Sequence, residues 1–273
     1  MNTLPSSDIT VRRMDFAIPP TLDPVFVRGC PEESFVYLGL SLVLPHLEPY
    51  LIRTMQAALR QIEDPLLAAR VKQFCAQEGQ HHRQHTALNQ ALGLLDIPAL
   101  ASLDAEIAAD YRRFSEEESL QFNAAYAEGF EAATAALGVM AFKSALFDQM
   151  EPLSADLWRW HTVEELEHRT VAFDVYERLF GDRRYRLKTA LFAHKHLTGF
   201  AVRAAKALLA AHPQRLAGAH PWRRWAFAVR LGRHFLPRLL DSYLPGYDPR
   251  AIPLPDGFSA QARRYTQLAV RTS

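Results

Sequence analysis

Two tetrads, Glu78-Gly79-Gln80-His81 and Glu165-Leu166-Glu167-His168, constrain this chain more tightly than any bulk property. Residues three apart on a helix share a face, so each tetrad presents a carboxylate and an imidazole together. In four-helix bundles that hold two metal ions, two helices supply Glu-x-x-His and the other two supply one Glu each. The chain must then offer two more long helices with an inward carboxylate. Glu48 lies in the apolar stripe Leu44, Glu48, Leu51, Ile52, Met55, Leu59, and Glu128 and Glu131 lie in a small-residue helix with Tyr126, Phe130, Ala135 and Leu137. A carboxylate buried alone is costly to desolvate, and coordination to a cation is the usual remedy.

The charges agree with this reading. Glu48, Glu78, Glu165 and one carboxylate of the third helix, taken as Glu131, neutralise two divalent cations. Oxygen and imidazole donors suit iron or manganese. A single zinc ion would not need them all. His161, Glu165 and His168 fall within a sector of about 60° on one helix, and His85 stands similarly to Glu78 and His81. One of these extra histidines supplies a seventh ligand; His161 is the choice, and His85 is the alternative or a hydrogen-bonded core histidine. Gln77 and Glu164, each preceding a ligand Glu, are placed to orient the His of the opposite helix. Glu164 and Glu167 read equally well as residues of a solvated helix face.

The remaining composition points to an all-α fold. Only 12 of 273 residues are Gly, alternating β-branched runs are scarce, and Leu, Ala, Arg, Glu and Gln dominate long segments. The spacing predicts a helix from Pro31 or Glu32 to about Ile62, kinked or restarted by Pro45 and Pro49. A second helix opens after Asp64-Pro65 and ends at Gly93. A third region runs from Ser102 to Met150, as one helix or two, and a fourth helix runs from Ser154 past Tyr176 to Gly181. The division expected is an N-terminal extension wrapping the surface over 1–32, a di-metal bundle over 33–181 and a helical C-terminal appendage packed on it over 182–273.

The 31 basic and 30 acidic side chains leave a net charge of +1, so no global field recruits nucleic acid. Cys30 and Cys75 have neither zinc nor redox spacing, which suggests a reducing interior and a cytoplasmic protein. The first thirty residues lack a continuous apolar run, and the apolar stretch at Leu191 to Leu209 is broken by charges, so no transmembrane segment is expected. The Arg- and Trp-rich tail reads first as a packing and homo-oligomer surface, with peripheral contact to a partner or membrane as the other reading.

At these residues the chain resembles a ferritin-like family of predicted metal-dependent hydrolases. The resemblance rests on Leu44-Pro45-His46-Leu47-Glu48, on Phe74-Cys75-Ala76-Gln77-Glu78-Gly79-Gln80-His81 with His85 and Asn89, and on Trp160-His161-Thr162-Val163-Glu164-Glu165-Leu166-Glu167-His168 with Ala172-Phe173-Asp174-Val175-Tyr176. Tyr243-Leu244-Pro245-Gly246-Tyr247-Asp248-Pro249 is similar to its closing motif, so the likeness covers about residues 35 to 250. Leu47 stands where the family usually has Gly. The resemblance favours Glu131 in Glu131-Ala132-Ala133-Thr134-Ala135 and leaves Glu128 second. The His161, Glu165, His168 triplet is also similar to the fourth helix of di-iron aminobenzoate N-oxygenases.

The function expected is therefore a ferritin-like four-helix bundle with two iron ions, manganese or zinc being alternatives, that activates O2 for a small apolar or aromatic substrate. Glu48, Glu78 and His81 chiefly hold one ion; Glu131, His161, Glu165 and His168 hold the other. Substrate is expected in an apolar cavity beside Ala124, Ala125, Ala132 and Ala133. A two-metal hydrolase of an ester or phosphate is the alternative, and a non-enzymatic iron-handling or scaffold protein is the third reading.

Overall fold

Capping chemistry sets where the helices begin. The side chain of Asp64 accepts hydrogen bonds from the N–H groups of Leu66 and Leu67, and Pro65 fills the first turn, so α2 (Pro65–Ala91) opens there. Gly93, at φ 58°, turns the chain out after its last residue. Ser119 accepts from Phe122 N to start α4 (Leu120–Lys143), and Glu151 accepts from Ser154 N to start α5 (Pro152–His168). The computed structural model describes residues 9–269. Among these the fold is all-α, with a lone backbone bridge between Val27 and Met150. Residues 1–8 of the expected extension and 270–273 of the expected appendage lie outside the described residues.

The first long helix, α1 (Pro31–Leu59), passes through Pro45 and Pro49 without restarting. The stretch after α2 forms two helices, α3 (Pro98–Glu117) and α4. The fourth helix is not continuous as expected. It breaks at Arg169-Thr170, and α6 (Val171–Leu179) follows α5 as a separate helix. Side chains hold the break open: Arg169 donates back to Leu166 O at 2.5 Å and to Pro249 O at 3.2 Å, while Arg70 of α2 bonds both Thr170 and Asp174. The closing motif seals the same place, with the Tyr247 ring edge-on to Phe173 at 5.7 Å.

Helices α1, α2, α4 and α5 form the bundle around the two tetrads, and α3 packs outside it on α1. The next helix, α7 (Arg183–Ala211), is seated directly against both α1 and α4. Glycine permits this approach. A Cβ on Gly39 would lie 2.5 Å from Ala201 O, and one on Gly129 would lie 2.7 Å from Ala190 Cα. By length and composition α1 could cross a membrane, but 67% of its apolar window is buried in the fold.

A further helical run, α8 (Pro221–Arg230) and α9 (Leu236–Asp241), is continuous through a π-helical segment at 231–235. Arg230 inside it makes a buried ion pair with Glu33 of α1. The last helix, α10 (Phe258–Leu268), was not foreseen from the sequence; it buries Phe258 and Tyr265 against Trp160 and Val163 of α5. Residues 9–30 do not merely wrap the surface: Ile9, Arg12, Met14, Phe26 and Val27 are buried.

Candidate metal centre

Four helices deliver the side chains. Helix α1 brings Glu48, α2 brings Glu78 and His81, α4 brings Glu131, and α5 brings His161, Glu165 and His168. All seven are at most 5% exposed. Three triads within them place one donor atom each within 4.8 Å of one another: Glu48, His81 and His161; Glu78, His81 and Glu165; and Glu78, Glu131 and His168.

Two carboxylates span these groups. Glu165 Oε1 is 3.0 Å from His161 Nε2 and 3.4 Å from His81 Nδ1, whereas its Oε2 is 3.5 Å from His168 Nε2. Glu78 does the same with Oε2 at 3.9 Å from His81 Nδ1 and Oε1 at 3.3 Å from His168 Nε2. Glu131 Oε2 is 3.3 Å from that same His168 nitrogen. The geometry thus has a Glu48, His81, His161 end and a Glu131, His168 end, with Glu78 and Glu165 between. This corrects the expected division, which put His161 with His168. His161 precedes Glu165 by one turn, and its ring stacks on His81 at 4.1 Å.

The residues fit metal ions. Both carboxylate oxygens of Glu48, Glu78, Glu131 and Glu165, with His81 Nδ1 and His168 Nε2, are buried without a hydrogen bond. Buried polar atoms are normally bonded, and so many orphans converging on one point form a set of donors without a cation. Burial raises the Glu131 carboxyl to about 8 against the pull of His168, and burial together with Glu78 raises Glu48 well above its usual value. Burial opposes charge on His168 and His81, but the surrounding carboxylates overcome it and raise both imidazoles well above their usual range. Glu165 moves the other way: burial favours its neutral form, and His168, His161 and His81 outweigh it.

The outward nitrogens of these histidines are also engaged. His168 Nδ1 is 2.9 Å from Gln77 Oε1, and His81 Nε2 is 3.1 Å from Glu164 Oε2. Gln77 and Glu164 each reach the histidine of the opposite helix. Glu164 and Glu167 are not solvated: Arg12 bonds Glu164 at 3.2 Å and Glu167 at 2.6 and 2.9 Å. Gln77 Nε2 donates to Glu167 at 2.9 Å and so joins the two networks. Arg12 sits in an extension with no helical pattern, and only the surplus of buried carboxylates on α5 hinted at a missing cation.

Other candidates lie elsewhere or in the surround. Glu128 faces α7, where Arg186 holds it at 2.6 Å, so it is not part of the centre. His85 Nε2 contacts His161 Nδ1 rather than the carboxylates. Burial and the neighbouring His161 and His81 keep it neutral, well below the usual imidazole range. His161 itself is lowered to about 4, by burial first and His81 second. Trp160 lies edge-on to His81 at 5.0 Å and Phe74 edge-on to His168 at 4.7 Å, so the centre has apolar walls. Ala124 and Ala125, expected to line a cavity, are instead packed against Tyr176, because small residues there let α4 meet its neighbours closely.

No curated protein and no solved structure matches the chain. A family profile described as "predicted metal-dependent hydrolase" matches residues 10–252, a span that takes in every residue of the centre and the Arg12 that covers it. By that match, this chain belongs to the family of predicted metal-dependent hydrolases.

Proposed function

We propose that the chain holds two divalent ions and uses them to hydrolyse an ester or phosphate bond in a small molecule. The observation that carries this reading is the set of buried donor atoms without hydrogen bonds, divided into two ends by Glu78 and Glu165. Glu48, His81 and His161 would hold one ion, Glu131 and His168 the other, and Glu78 and Glu165 both. Four carboxylates balance two dications, so the filled centre carries no net charge into the core. Such ions supply Lewis acidity and acidify water for attack, and iron in the same place adds redox exchange with O2.

The chain's own residues prepare the donors. For His168 to offer Nε2, its Nδ1 must carry the proton, and Gln77 Oε1 accepts that N–H. For His81 to offer Nδ1, Nε2 carries the proton, and Glu164 accepts it. Arg12 pairs with both Glu164 and Glu167, so neither carboxylate is left uncompensated in the core. Trp160 and Phe74 exclude water from around the imidazoles.

The sequence put O2 activation first, and the family description moves hydrolysis ahead of it. O2 activation with iron stays the second reading, favoured by a donor set of four carboxylates and three imidazoles closed off from solvent. The test is to load metal-free protein separately with zinc, manganese and, anaerobically, iron, then measure metal content, ester and phosphate turnover, and O2 uptake. Two ions per chain with turnover in zinc or manganese supports hydrolysis. Turnover confined to iron with O2 supports the second reading. One ion or none per chain defeats both.

A further inference from the structure

We propose that the continuous helix over 221–241 docks on an anionic lipid surface, a role separate from the metal centre. Charge in this chain is segregated. Between residues 221 and 241 there are five Arg against one acid, Asp241, which pairs with Arg238, although the whole chain carries only +1. The helix is fixed to the fold along one side. Arg230 pairs with the buried Glu33, and Phe227 packs partly against the core.

Leu231, Phe235 and Leu239 are half-buried, but a second set of apolar side chains stands in solvent. Trp222 is 61% and Trp225 70% exposed, and Leu236, Leu240 and Leu244 continue the series to the helix end and just past it. Neither tryptophan is packed within the chain. Cations flank them: the Arg223 guanidinium lies 4.6 Å over the Trp222 ring, Arg233 is exposed, and Arg224, 73% exposed, is 3.7 Å from Glu32 of α1. Among the described residues neither Arg223 nor Arg233 has an acidic partner.

Exposed Trp and Leu beside Arg describe a helix that lies in a bilayer interface, with rings at headgroup level and guanidinium groups on lipid phosphates. Other occupants fit less well. Two copies meeting through this face would oppose arginine to arginine. Nucleic acid would meet the arginines but would leave the exposed leucines in water.

The experiment is co-sedimentation of the full chain with vesicles of pure phosphatidylcholine and of phosphatidylcholine mixed with phosphatidylglycerol, with tryptophan emission read on the same samples. Binding to the anionic vesicles alone, a blue shift on binding, and weakening by salt are expected. Each basic residue near such a surface is worth about 1 kcal/mol, or about fivefold, so Arg223→Gln with Arg233→Gln should weaken partitioning about 25-fold. Trp222→Ala with Trp225→Ala should abolish the blue shift and the binding without changing the melting temperature or metal content, because both rings are exposed. Equal binding to the two vesicle types, or none to either, overturns the proposal. So does a dimer in sedimentation equilibrium that the tryptophan pair abolishes, or salt-sensitive binding to DNA without binding to vesicles.

Discussion

His85 Nε2 lies 2.8 Å from His161 Nδ1, and the direction of that hydrogen bond follows from what surrounds it. Ser41 Oγ is 2.9 Å from His85 Nδ1 and donates to Asn89 Oδ1 at 2.7 Å, while Asn89 Nδ2 donates back to Ser41 O. With Ser41 donating to Asn89, its oxygen is left to accept from His85 Nδ1–H. His85 Nε2 then accepts from His161 Nδ1–H, and His161 Nε2 turns its lone pair inward. His85→Ala should lower affinity at the Glu48 end by about 10- to 100-fold, the usual cost of losing such a partner. Competitive chelation resolved for the two ions measures it. Equal affinity in the variant and the parent protein would show that His161 needs no orienting partner.

Glu131→Ala and Glu128→Ala separate a donor from a structural ion pair three residues away. The first should reduce the metal content while leaving the fold. The second should keep two ions but destabilise the chain by about 3 kcal/mol, because the buried Arg186 is left with only the more distant Glu177 at 3.7 Å. Metal analysis and urea unfolding of both variants give the answer.

Arg12→Ala should expose the excess charge on α5. Glu164 and Glu167 would remain buried without their cation, at a cost on the order of 3–5 kcal/mol. Arg12→Lys should restore only part, since one ammonium cannot reproduce the paired contacts to Glu167. Denaturant midpoints for the three proteins test this ordering.

Metal-free protein should lose stability as pH rises from about 6.5 to 8. Glu131 is raised by burial to about 8, and Glu48, His81 and His168 are also raised. Each favours the proton in the folded state, so its contribution is present below the unfolded pKa and disappears as pH climbs through the folded one. His85 and His161, lowered by burial, act in the opposite sense but only below about 6.5. Melting temperatures across this range should fall without metal and flatten when metal is added.

Gly129→Ala should destabilise by about 1–3 kcal/mol, the range for overpacking, because the new methyl would meet the α7 backbone at Ala190. Gly79→Ala, with nothing within 4 Å of its Cβ position, is the matched control and should be stabilising or neutral.

What could be read from the sequence was whatever repeats along one helix. The i, i+3 tetrads, the Asp64-Pro65 start and the Gly93 stop are local patterns, and all appear at their places in the fold. Contacts between distant segments had no such signature. Arg12 meets Glu167 across 155 positions, and nothing near residue 12 announces it. The interruption after His168 escaped because its cause, Arg169 reaching Pro249, is tertiary. The grouping of His161 with Glu48 was missed for a related reason: helical angle tells which residues share a face, but not which end of a bridging carboxylate each one meets.

The two tetrads look alike, yet they do not make equal halves. One end of the proposed centre has two imidazoles, and one of these leans on the carboxyl group of Glu164, which Arg12 backs; the other end has a single imidazole leaning on the amide of Gln77. A carboxyl acceptor raises the basicity of a ligating imidazole more than an amide does. Filling should therefore be stepwise, with the Glu48 end occupied first and emptied last by a chelator. A half-loaded chain, or one with a different element at each end, becomes a state that can be prepared on purpose.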